Sequence, residues 1–272
     1  MGIRIETTIK TRYSQFDAKE IGEFIHQQYG FQKMVDCRFF DNGMNDIYKV
    51  RVGDITYYYR VSLAGTHNKT DYEEEVLIIL AFAEAGISVA KPIRMVNQEY
   101  ISEFAAPEGI RYGILFEEAI ETPCKEDDVD NKCEGMKVLG EYLARIHQYG
   151  DLHRGNVHFN GNKPTIFDFD CMGYGYRAYD ICIYAWNESF HNQEYLNTDE
   201  WKSFLEGYES IRKLTEAEKE CIPAFMALRQ VWLMGLHADV MNRNAGCCWF
   251  QNDYFIRQMD AFRRYAKLMK QD

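Results

Sequence analysis

The segment of residues 150–170 constrains this chain more than any other part of its sequence. Two short β-prone runs, residues 157–159 and 165–167, are joined by residues 160–164, which begin with the dipeptide Asn160-Gly161. Asn-Gly between two such runs is a strong signal for a hairpin turn. Because a hairpin brings its outer ends together, the residues just before the first run are predicted to lie near those just after the second.

Three polar residues occupy those outer ends. Asp151 and Asn156 precede the first run, and Asp168 follows the second. Two carboxylates and an amide oxygen suit Mg²⁺, a hard cation that takes oxygen ligands and often shares them with nucleotide phosphates. Phosphoryl transfer also needs a group that takes the proton of the acceptor hydroxyl, and an Asp a few residues before a metal-binding Asn does this in kinases. Each residue alone is better explained as a turn cap or loop contact, but the three together predict kinase chemistry.

The first part of the chain is predicted to form a small antiparallel sheet with one inserted helix. Apolar spacing indicates helices at residues 17–29 and 71–85, and Gly86 stands where a helix C-cap is expected. Runs rich in Tyr, Val and Ile, separated by turn residues, predict the strands. The predicted strands are residues 37–40, 46–52, 55–62, 93–104 and 110–116.

The remainder of the chain is predicted to be mainly helical. Acidic residues dominate residues 117–134, which we expect to be an exposed connection between two lobes. The predicted helices beyond it are residues 134–148, 199–212, 215–241 and 252–269. The sequence therefore predicts an α+β fold with two lobes, a sheet-rich N-lobe of residues 1–118 and a helical C-lobe of residues 119–272.

Composition limits the partners of the chain. Its formal net charge of −11 disfavours nucleic-acid binding, because an acidic surface repels phosphate backbones, and it is compatible with a cationic substrate. No apolar run is long enough to cross a bilayer and the opening stretch does not resemble a signal peptide, so we expect a cytoplasmic protein without membrane association. The 8 cysteines show no Cys-x-x-Cys pair and no zinc spacing, which favours reduced thiols. A monomer is the default expectation.

Two sequence motifs within residues 150–170 resemble those of a known family. Gly-Asp-Leu-His-Arg-Gly-Asn at residues 150–156 and Ile-Phe-Asp-Phe-Asp at residues 166–170 are followed by Tyr-Asp-Ile at residues 179–181. This pattern resembles the aminoglycoside phosphotransferase superfamily, which includes choline and homoserine kinases and a bacterial stress-response kinase. Residues 228–232, Leu-Arg-Gln-Val-Trp, are especially similar to the stress-response branch. The resemblance implies a bilobal protein-kinase-like fold.

The resemblance also implies roles for residues on both sides of the predicted hairpin. Asp151 would be the catalytic base and His153 would support the catalytic loop. Asn156 and Asp168 would hold Mg²⁺, and Asp180 would be the buried carboxylate that anchors the loop.

The resemblance further implies a nucleotide site in the N-lobe. A turn at residues 41–45 would cover the nucleotide, Arg60 would take the place of the Lys that contacts ATP phosphates, and Glu75 would pair with that cation. Glu73 and Glu74 remain alternatives to Glu75. Residues 114–119 resemble the hinge whose backbone meets adenine. The predicted nucleotide-binding residues are Asn45, Arg60, Glu75, Phe116, Glu117 and Ala119.

The sequence departs from the family pattern just before the catalytic loop. Tyr149 stands where relatives usually have His, and His147 runs almost directly into Gly150. Relatives normally place several tens of residues there, which help to form the wall of the acceptor site. Two explanations remain open: a true deletion that leaves the acceptor site open or altered, or a segment of the protein that this sequence does not include. The direct run of the predicted helix 134–148 into the loop favours the second.

The function predicted from these features is an ATP-dependent phosphotransferase with Mg²⁺ as cofactor. The acceptor would be a hydroxyl of a small molecule, either aminoglycoside-like, an amino alcohol or a sugar, and GTP stays open as a second donor. One alternative is a pseudokinase that binds nucleotide without turnover, and another is a Ser/Thr protein kinase of the stress-response type. A dinucleotide-binding or hydrolase protein is disfavoured, because the chain lacks the Gly-rich turn and the Gly-x-Ser-x-Gly elbow of those classes.

Overall fold

A computed structural model of the chain describes residues 10–122, 128–147, 156–170, 175–240 and 252–269. The chain divides into two compact units. The first unit comprises Met1–Glu73, Pro92–Glu117 and Asp239–Cys247. The second unit comprises Glu74–Lys91, Glu118–Ala238 and Cys248–Asp272. The lobe boundaries predicted from the sequence, 1–118 and 119–272, stay a prediction.

The first unit contains a five-stranded antiparallel sheet in the order β1-β2-β3-β5-β4. Helix α1 precedes the sheet, and Asp17 caps its N-terminus by accepting from the backbone N–H groups of Lys19 and Glu20. The elements are α1 (Ala18–Gln28), β1 (Val35–Asn42), β2 (Asn45–Val52), β3 (Ile55–Ser62), β4 (Ile101–Ala106) and β5 (Gly109–Glu117). The predicted first helix and first three strands are therefore confirmed.

The strand predicted at residues 93–104 is wrong in its first half. A turn occupies that half, in which the N–H of Met95 donates to the carbonyl of Glu99 and Gln98 has φ of +73°. A residue in the left-handed region cannot continue an extended strand. β4 therefore begins only at Ile101.

A side chain from α1 and the inner faces of the strands form the core of the first unit. Ile25, Tyr48, Val50 and Leu115 are fully buried there. Tyr59 is also buried, and its hydroxyl lies 2.5 Å from Ser102 Oγ. β-branched and aromatic residues suit such a half-buried sheet face, because they pack well against cross-strand neighbours.

A fully buried ion pair joins the sheet to the segment before α1. Arg111 Nη2 lies 2.8 Å from Asp46 Oδ2, and both side chains have no exposed surface. Arg111 also donates to the carbonyls of Ser62 and Ser14, and Tyr13 donates to the other oxygen of Asp46. Buried charges are tolerated when they are paired and hydrogen-bonded in this way.

Helix α2 (Lys69–Glu84) follows β3 and ends in a Schellman motif at Gly86. The N–H of Gly86 donates to Ala83 O, the N–H of Ile87 donates to Phe82 O, and Gly86 has φ of +79°. The predicted C-cap is confirmed.

The second unit is mainly helical and contains one small hairpin. Its helices are α3 (Val129–Ile146), α4 (Arg177–His191), α5 (Asp199–Ile211), α6 (Glu216–Glu220), α7 (Ile222–Val240) and α8 (Asn252–Leu268), with a 3₁₀ turn at Tyr195–Asn197. The hairpin consists of β6 (Val157–Asn160) and β7 (Lys163–Ile166). Within the described ranges, none of the helices combines the length and apolar character needed to cross a lipid bilayer.

Two predicted helices have different bounds in the structure. α3 begins at Val129, earlier than predicted, because Asp128 caps it by accepting from the N–H of Asn131. The single helix predicted at residues 215–241 is two helices that divide at Cys221. Thr215 caps the shorter one, and Pro223 lies in the first turn of α7, where its missing N–H costs no intrahelical bond.

Candidate active site

The hairpin of the second unit brings two of the predicted site residues together. Asn156 immediately precedes β6 and is 6% exposed, and Asp168 lies two residues after β7. Asn156 Nδ2 donates to the backbone carbonyl of Asp168 at 3.3 Å, and the N–H of Phe167 donates to Asn156 O at 3.0 Å. The predicted proximity of these two residues is therefore confirmed.

The turn of the hairpin differs from the one expected. β6 and β7 are joined by two residues, Gly161 and Asn162, because Asn160 already pairs with Lys163. Gly161 has φ of +62° at the first central position, where a type II′ turn requires a positive φ. Because the turn is shorter, β7 begins at Lys163, two residues earlier than predicted, and Phe167 lies outside the strand.

Asp168 has an unusual backbone conformation. Its φ is +63°, and Gln98 is the other non-glycine residue with a positive φ among the described residues. A left-handed non-glycine residue costs about 1 to 3 kcal/mol and persists where surrounding contacts hold it, often at functional sites. The bond from Asn156 to the carbonyl of this same residue is one of those contacts.

The chemistry of this pair fits Mg²⁺. The candidate ligands are a carboxylate and an amide, and hard divalent cations prefer such oxygen donors. The bond to Asp168 O uses the amide nitrogen of Asn156 and thereby fixes the orientation of its amide plane. Within the described ranges no group of three His, Cys, Asp or Glu residues forms a metal cluster. Two further predicted site residues, Asp151 and His153, lie outside the described residues.

Two other segments of the second unit border the hairpin. Residues 88–90 run parallel to β7, with bonds from Ala90 N to Ile166 O and from Ile166 N to Ser88 O, both 2.9 Å. Thr122 pairs with β6 on the opposite edge, and its N–H donates to Phe159 O at 2.9 Å. Both edges of the hairpin are therefore hydrogen-bonded, which restricts its movement within this unit.

Asp180 lies in the first turn of α4 and is 9% exposed. A carboxylate at the N-terminal end of a helix is favoured by the helix dipole. The same turn contains Arg177, whose Nη2 lies 2.6 Å from Glu218 Oε1. The structure thus confirms that Asp180 is buried, and its role as an anchor of the catalytic loop stays a prediction.

In the first unit, Arg60 occupies a buried position on β3. Its guanidinium carbon lies 5.0 Å from the centre of the Phe116 ring and 5.9 Å from that of Tyr72. Stacking on aromatic faces suits a planar guanidinium. Asn45 begins β2, pairs with Ser62 and is 8% exposed.

The other predicted nucleotide-binding residues lie near the unit boundaries. Phe116 and Glu117 end β5, where Glu117 pairs with Tyr57. Glu75 is buried in α2, and Ala119 is buried in the segment that follows β5. Ala119 O lies 2.5 Å from Nδ1 of His158, a residue of β6 for which the sequence predicted no role in the site.

Comparison with known proteins finds a family whose profile matches part of the chain. Residues 138–214 match the profile of the phosphotransferase enzyme family. The matched residues include the hairpin, α4 and α5. This match confirms the resemblance inferred from the sequence motifs and the predicted enzyme class, a kinase.

Three relatives are similar to this chain in sequence. An uncharacterized protein of Synechocystis sp. is 24% identical over 314 positions that take in 91% of this chain and 85% of the relative. Amicoumacin kinase of Bacillus subtilis is 28% identical over 47% of this chain and 39% of its own length. Homoserine kinase of Agrobacterium fabrum is 38% identical over 28% of this chain and 24% of its own length. The matches to the two named kinases thus span less than half of those proteins.

Solved structures show the fold. Amicoumacin kinase in complex with AMP-PNP and Ca²⁺ has a TM-score of 0.74 at 20% identity, with 95% of this chain and 94% of that chain covered. The microcompartment-associated aminopropanol kinase has a TM-score of 0.63 at 16% identity, with 92% and 95% covered. The predicted α+β kinase-like fold is confirmed.

Proposed function

We propose that this chain transfers the γ-phosphoryl group of ATP to a hydroxyl of a small amino alcohol. The observation that carries the proposal is the pairing of Asn156 with Asp168, in which a buried amide is bonded to the backbone of a conformationally strained carboxylate residue. Oxygen ligands held in a fixed arrangement suit a divalent cation that is shared with nucleotide phosphates.

Within this proposal, Asn156 and Asp168 hold Mg²⁺, which when bound neutralises charge on the transferring phosphoryl group. Asp151 orients the acceptor hydroxyl and takes its proton, and His153 supports the loop that contains Asp151. Asp180 anchors that loop from α4. The support for the last role is the burial of Asp180 at the start of its helix.

The nucleotide is proposed to use residues of β2, β3, α2 and β5. Arg60 contacts the phosphates, and its aromatic neighbours support that role because they hold the guanidinium plane in place. Glu75 pairs with that cation, and Asn45 begins β2 directly after the turn that covers the phosphates. The backbone of residues 116–119 meets adenine. GTP remains a second candidate donor, because the proposed base contacts use backbone N–H and C=O groups, which the residue types of the hinge do not distinguish.

The proposed acceptor class rests on the relatives and on charge. Homoserine and aminopropanol each carry an amine and a hydroxyl, and kinases named for them are similar to this chain in sequence or in fold. Amicoumacin kinase is similar in both respects. A net charge of −11 favours the approach of an ammonium group over that of an anion. Aminoglycoside-like compounds and sugars remain within the proposed range of acceptors.

Nucleotide binding measured by calorimetry, with and without Mg²⁺, tests the metal site. Replacing Asp168 or Asn156 by Ala is expected to weaken Mg²⁺-dependent ATP binding about tenfold or more, since loss of even an outer partner of a metal site has an effect of that size. Asp54→Asn, in the exposed turn between β2 and β3, is the control and should bind as the wild type does. ATP affinity that is independent of Mg²⁺, or unchanged in both Ala variants, would contradict the proposal.

A pseudokinase is the second candidate function, and the short junction between His147 and Gly150 favours it. The alignment with the Synechocystis protein extends over 314 positions although it takes in 91% of 272 residues here, so that relative has several tens of positions without a counterpart in this chain. Mg²⁺-dependent ATP binding without phosphorylation of any acceptor is the result that distinguishes a pseudokinase. A protein Ser/Thr acceptor is the remaining alternative.

A further inference from the structure

His158 makes a contact that joins two parts of the proposed site within the second unit. It lies in β6, two residues after Asn156, and its Nδ1 is 2.5 Å from the carbonyl oxygen of Ala119. Ala119 belongs to the segment that follows β5 and is proposed to meet adenine. The two bonded residues are 39 positions apart in the sequence.

The chemistry of this contact is unambiguous. A carbonyl oxygen only accepts, so Nδ1 of His158 must carry the proton and donate. The other ring nitrogen, Nε2, lies 3.9 Å from Glu121 Oε2, in the same segment as Ala119. The ring itself contacts Phe167 edge to face, with 4.7 Å between the ring centres. The ring is thus held between the segment that contains Ala119 and the residue next to Asp168.

The other bonds along this edge of the hairpin do not replace the contact. Thr122 N donates to Phe159 O, and Thr122 Oγ1 donates to Asn160 Oδ1 at 2.9 Å. Both bonds lie three residues beyond Ala119. The bond from His158 is the contact on this edge, among those described, that reaches Ala119 itself.

We propose that His158 is a positioning residue for the nucleotide, which holds Ala119 at a fixed distance from the hairpin that carries Asn156 and Asp168. This inference rests on the proposed function. It predicts that loss of the N–H donor weakens nucleotide binding. Without this bond, the segment that contains Ala119 must be ordered when the nucleotide binds, and the conformational entropy lost then reduces the affinity. One hydrogen bond contributes about 1 kcal/mol, which corresponds to about a 5-fold weaker affinity.

Two substitutions separate the hydrogen bond from the packing of the ring. His158→Phe keeps an aromatic ring against Phe167 but removes the donor. His158→Asn removes the ring but places an amide N–H near the position of Nδ1. Thr122→Val is the matched control, because it removes a side-chain bond on the same edge that does not involve Ala119.

Calorimetric ATP affinity in Mg²⁺ and the melting temperature should be measured for each variant. We expect His158→Phe to bind ATP about 5-fold more weakly, with His158→Asn restored toward the wild type and Thr122→Val unchanged. For variants that turn over, the KM for ATP should rise while kcat changes little. Binding is to be measured well below each melting temperature, so that partial unfolding does not contribute.

The inference is overturned if the wild type binds ATP and His158→Phe binds it equally well, even when its melting temperature is lower. It is also overturned if His158→Asn is as weak as His158→Phe, because the ring and not the donor would then be responsible. Failure of the wild type to bind ATP would instead contradict the proposed function. If His158→Phe does not fold, the comparison of His158→Asn with His158→Leu decides the same question.

Discussion

At the scale of single residues, the end of α3 contains a histidine that is held neutral. His147 is 6% exposed, and its Nδ1 lies 2.9 Å from the hydroxyl of Tyr208 on α5. Burial, together with the positive charges of Arg212 and Arg177, lowers the pKa of His147 from its ordinary value of 6.5 to about 4. His147 is the C-cap residue of α3, so its charge state affects the region where α3 ends.

The low pKa of His147 predicts a specific dependence of stability on pH. Between pH 6.5 and about 4 the unfolded chain binds a proton at this histidine and the folded chain does not, so folding is disfavoured as the pH falls through this window. Above pH 6.5 both states are neutral and the effect vanishes. Between pH 7.5 and pH 5 the wild type should therefore lose about 1 to 2 kcal/mol more unfolding free energy than His147→Gln.

Urea unfolding at the two pH values measures this difference. Tyr208→Phe removes the hydrogen bond but keeps the histidine, so it should retain the pH dependence of the wild type. Equal losses of stability in the wild type and in His147→Gln would show that this histidine does not have a lowered pKa in the folded protein.

At the scale of elements, two glycines set the distance between α3 and α5. A Cβ atom placed on Gly140 would overlap the carbonyl oxygen of Phe204, and one placed on Gly207 would overlap that of Lys137. Backbone atoms cannot rotate away as a flexible side chain can, so the helices would have to separate. His147 follows α3 and Tyr208 lies on α5, so the hydrogen bond between these two residues depends on the spacing of the helices.

Gly140→Ala is expected to lower the free energy of unfolding by about 3 kcal/mol, near the upper end of the usual cost of overpacking. Gly235→Ala is the matched control, because Gly235 is an exposed glycine within α7 and a Cβ there meets nothing within 4 Å. That substitution should be neutral or stabilising by up to about 1 kcal/mol, since Ala has the higher helix propensity. Denaturant unfolding of both variants tests this, and equal effects would contradict the close approach of the two helices.

The sequence predicted those elements whose signals are local. The glycine in the hairpin turn, the spacing of apolar residues in α1 and the glycine after α2 each act over a few residues. The pairing of Asn156 with Asp168 followed from the hairpin in the same way. The turn within residues 93–100 was missed, because its positive φ falls on Gln98 and not on a glycine.

Non-local contacts of single side chains were beyond sequence reasoning. The bond from His158 to Ala119 joins residues 39 positions apart, and that from Arg111 to Asp46 joins residues 65 positions apart. Such pairs leave no periodic pattern, because each partner alone could as well be an exposed polar residue. The burial of both partners of the Arg111–Asp46 pair is a property of the folded sheet.

At the scale of the whole molecule, the chain has a kinase-like fold, and residues 138–214 match a phosphotransferase family. A metal site is proposed on the hairpin. Family and fold alone are compatible with turnover and with nucleotide binding that leads to no reaction. The two outcomes differ in whether an acceptor hydroxyl is phosphorylated. Asp151, the proposed base, is needed only for the first.

A screen of acceptors by mass spectrometry therefore distinguishes a kinase that turns over from a protein that only binds nucleotide. The purified chain, Mg²⁺ and either ATP or GTP would be incubated with amino alcohols, including homoserine and aminopropanol, together with an aminoglycoside, a sugar and a Ser/Thr peptide. We predict a phosphorylated amino alcohol with the wild type and none with Asp151→Ala. Binding of Mg²⁺ and ATP without any phosphorylated acceptor, or turnover that survives in Asp151→Ala, would contradict this prediction.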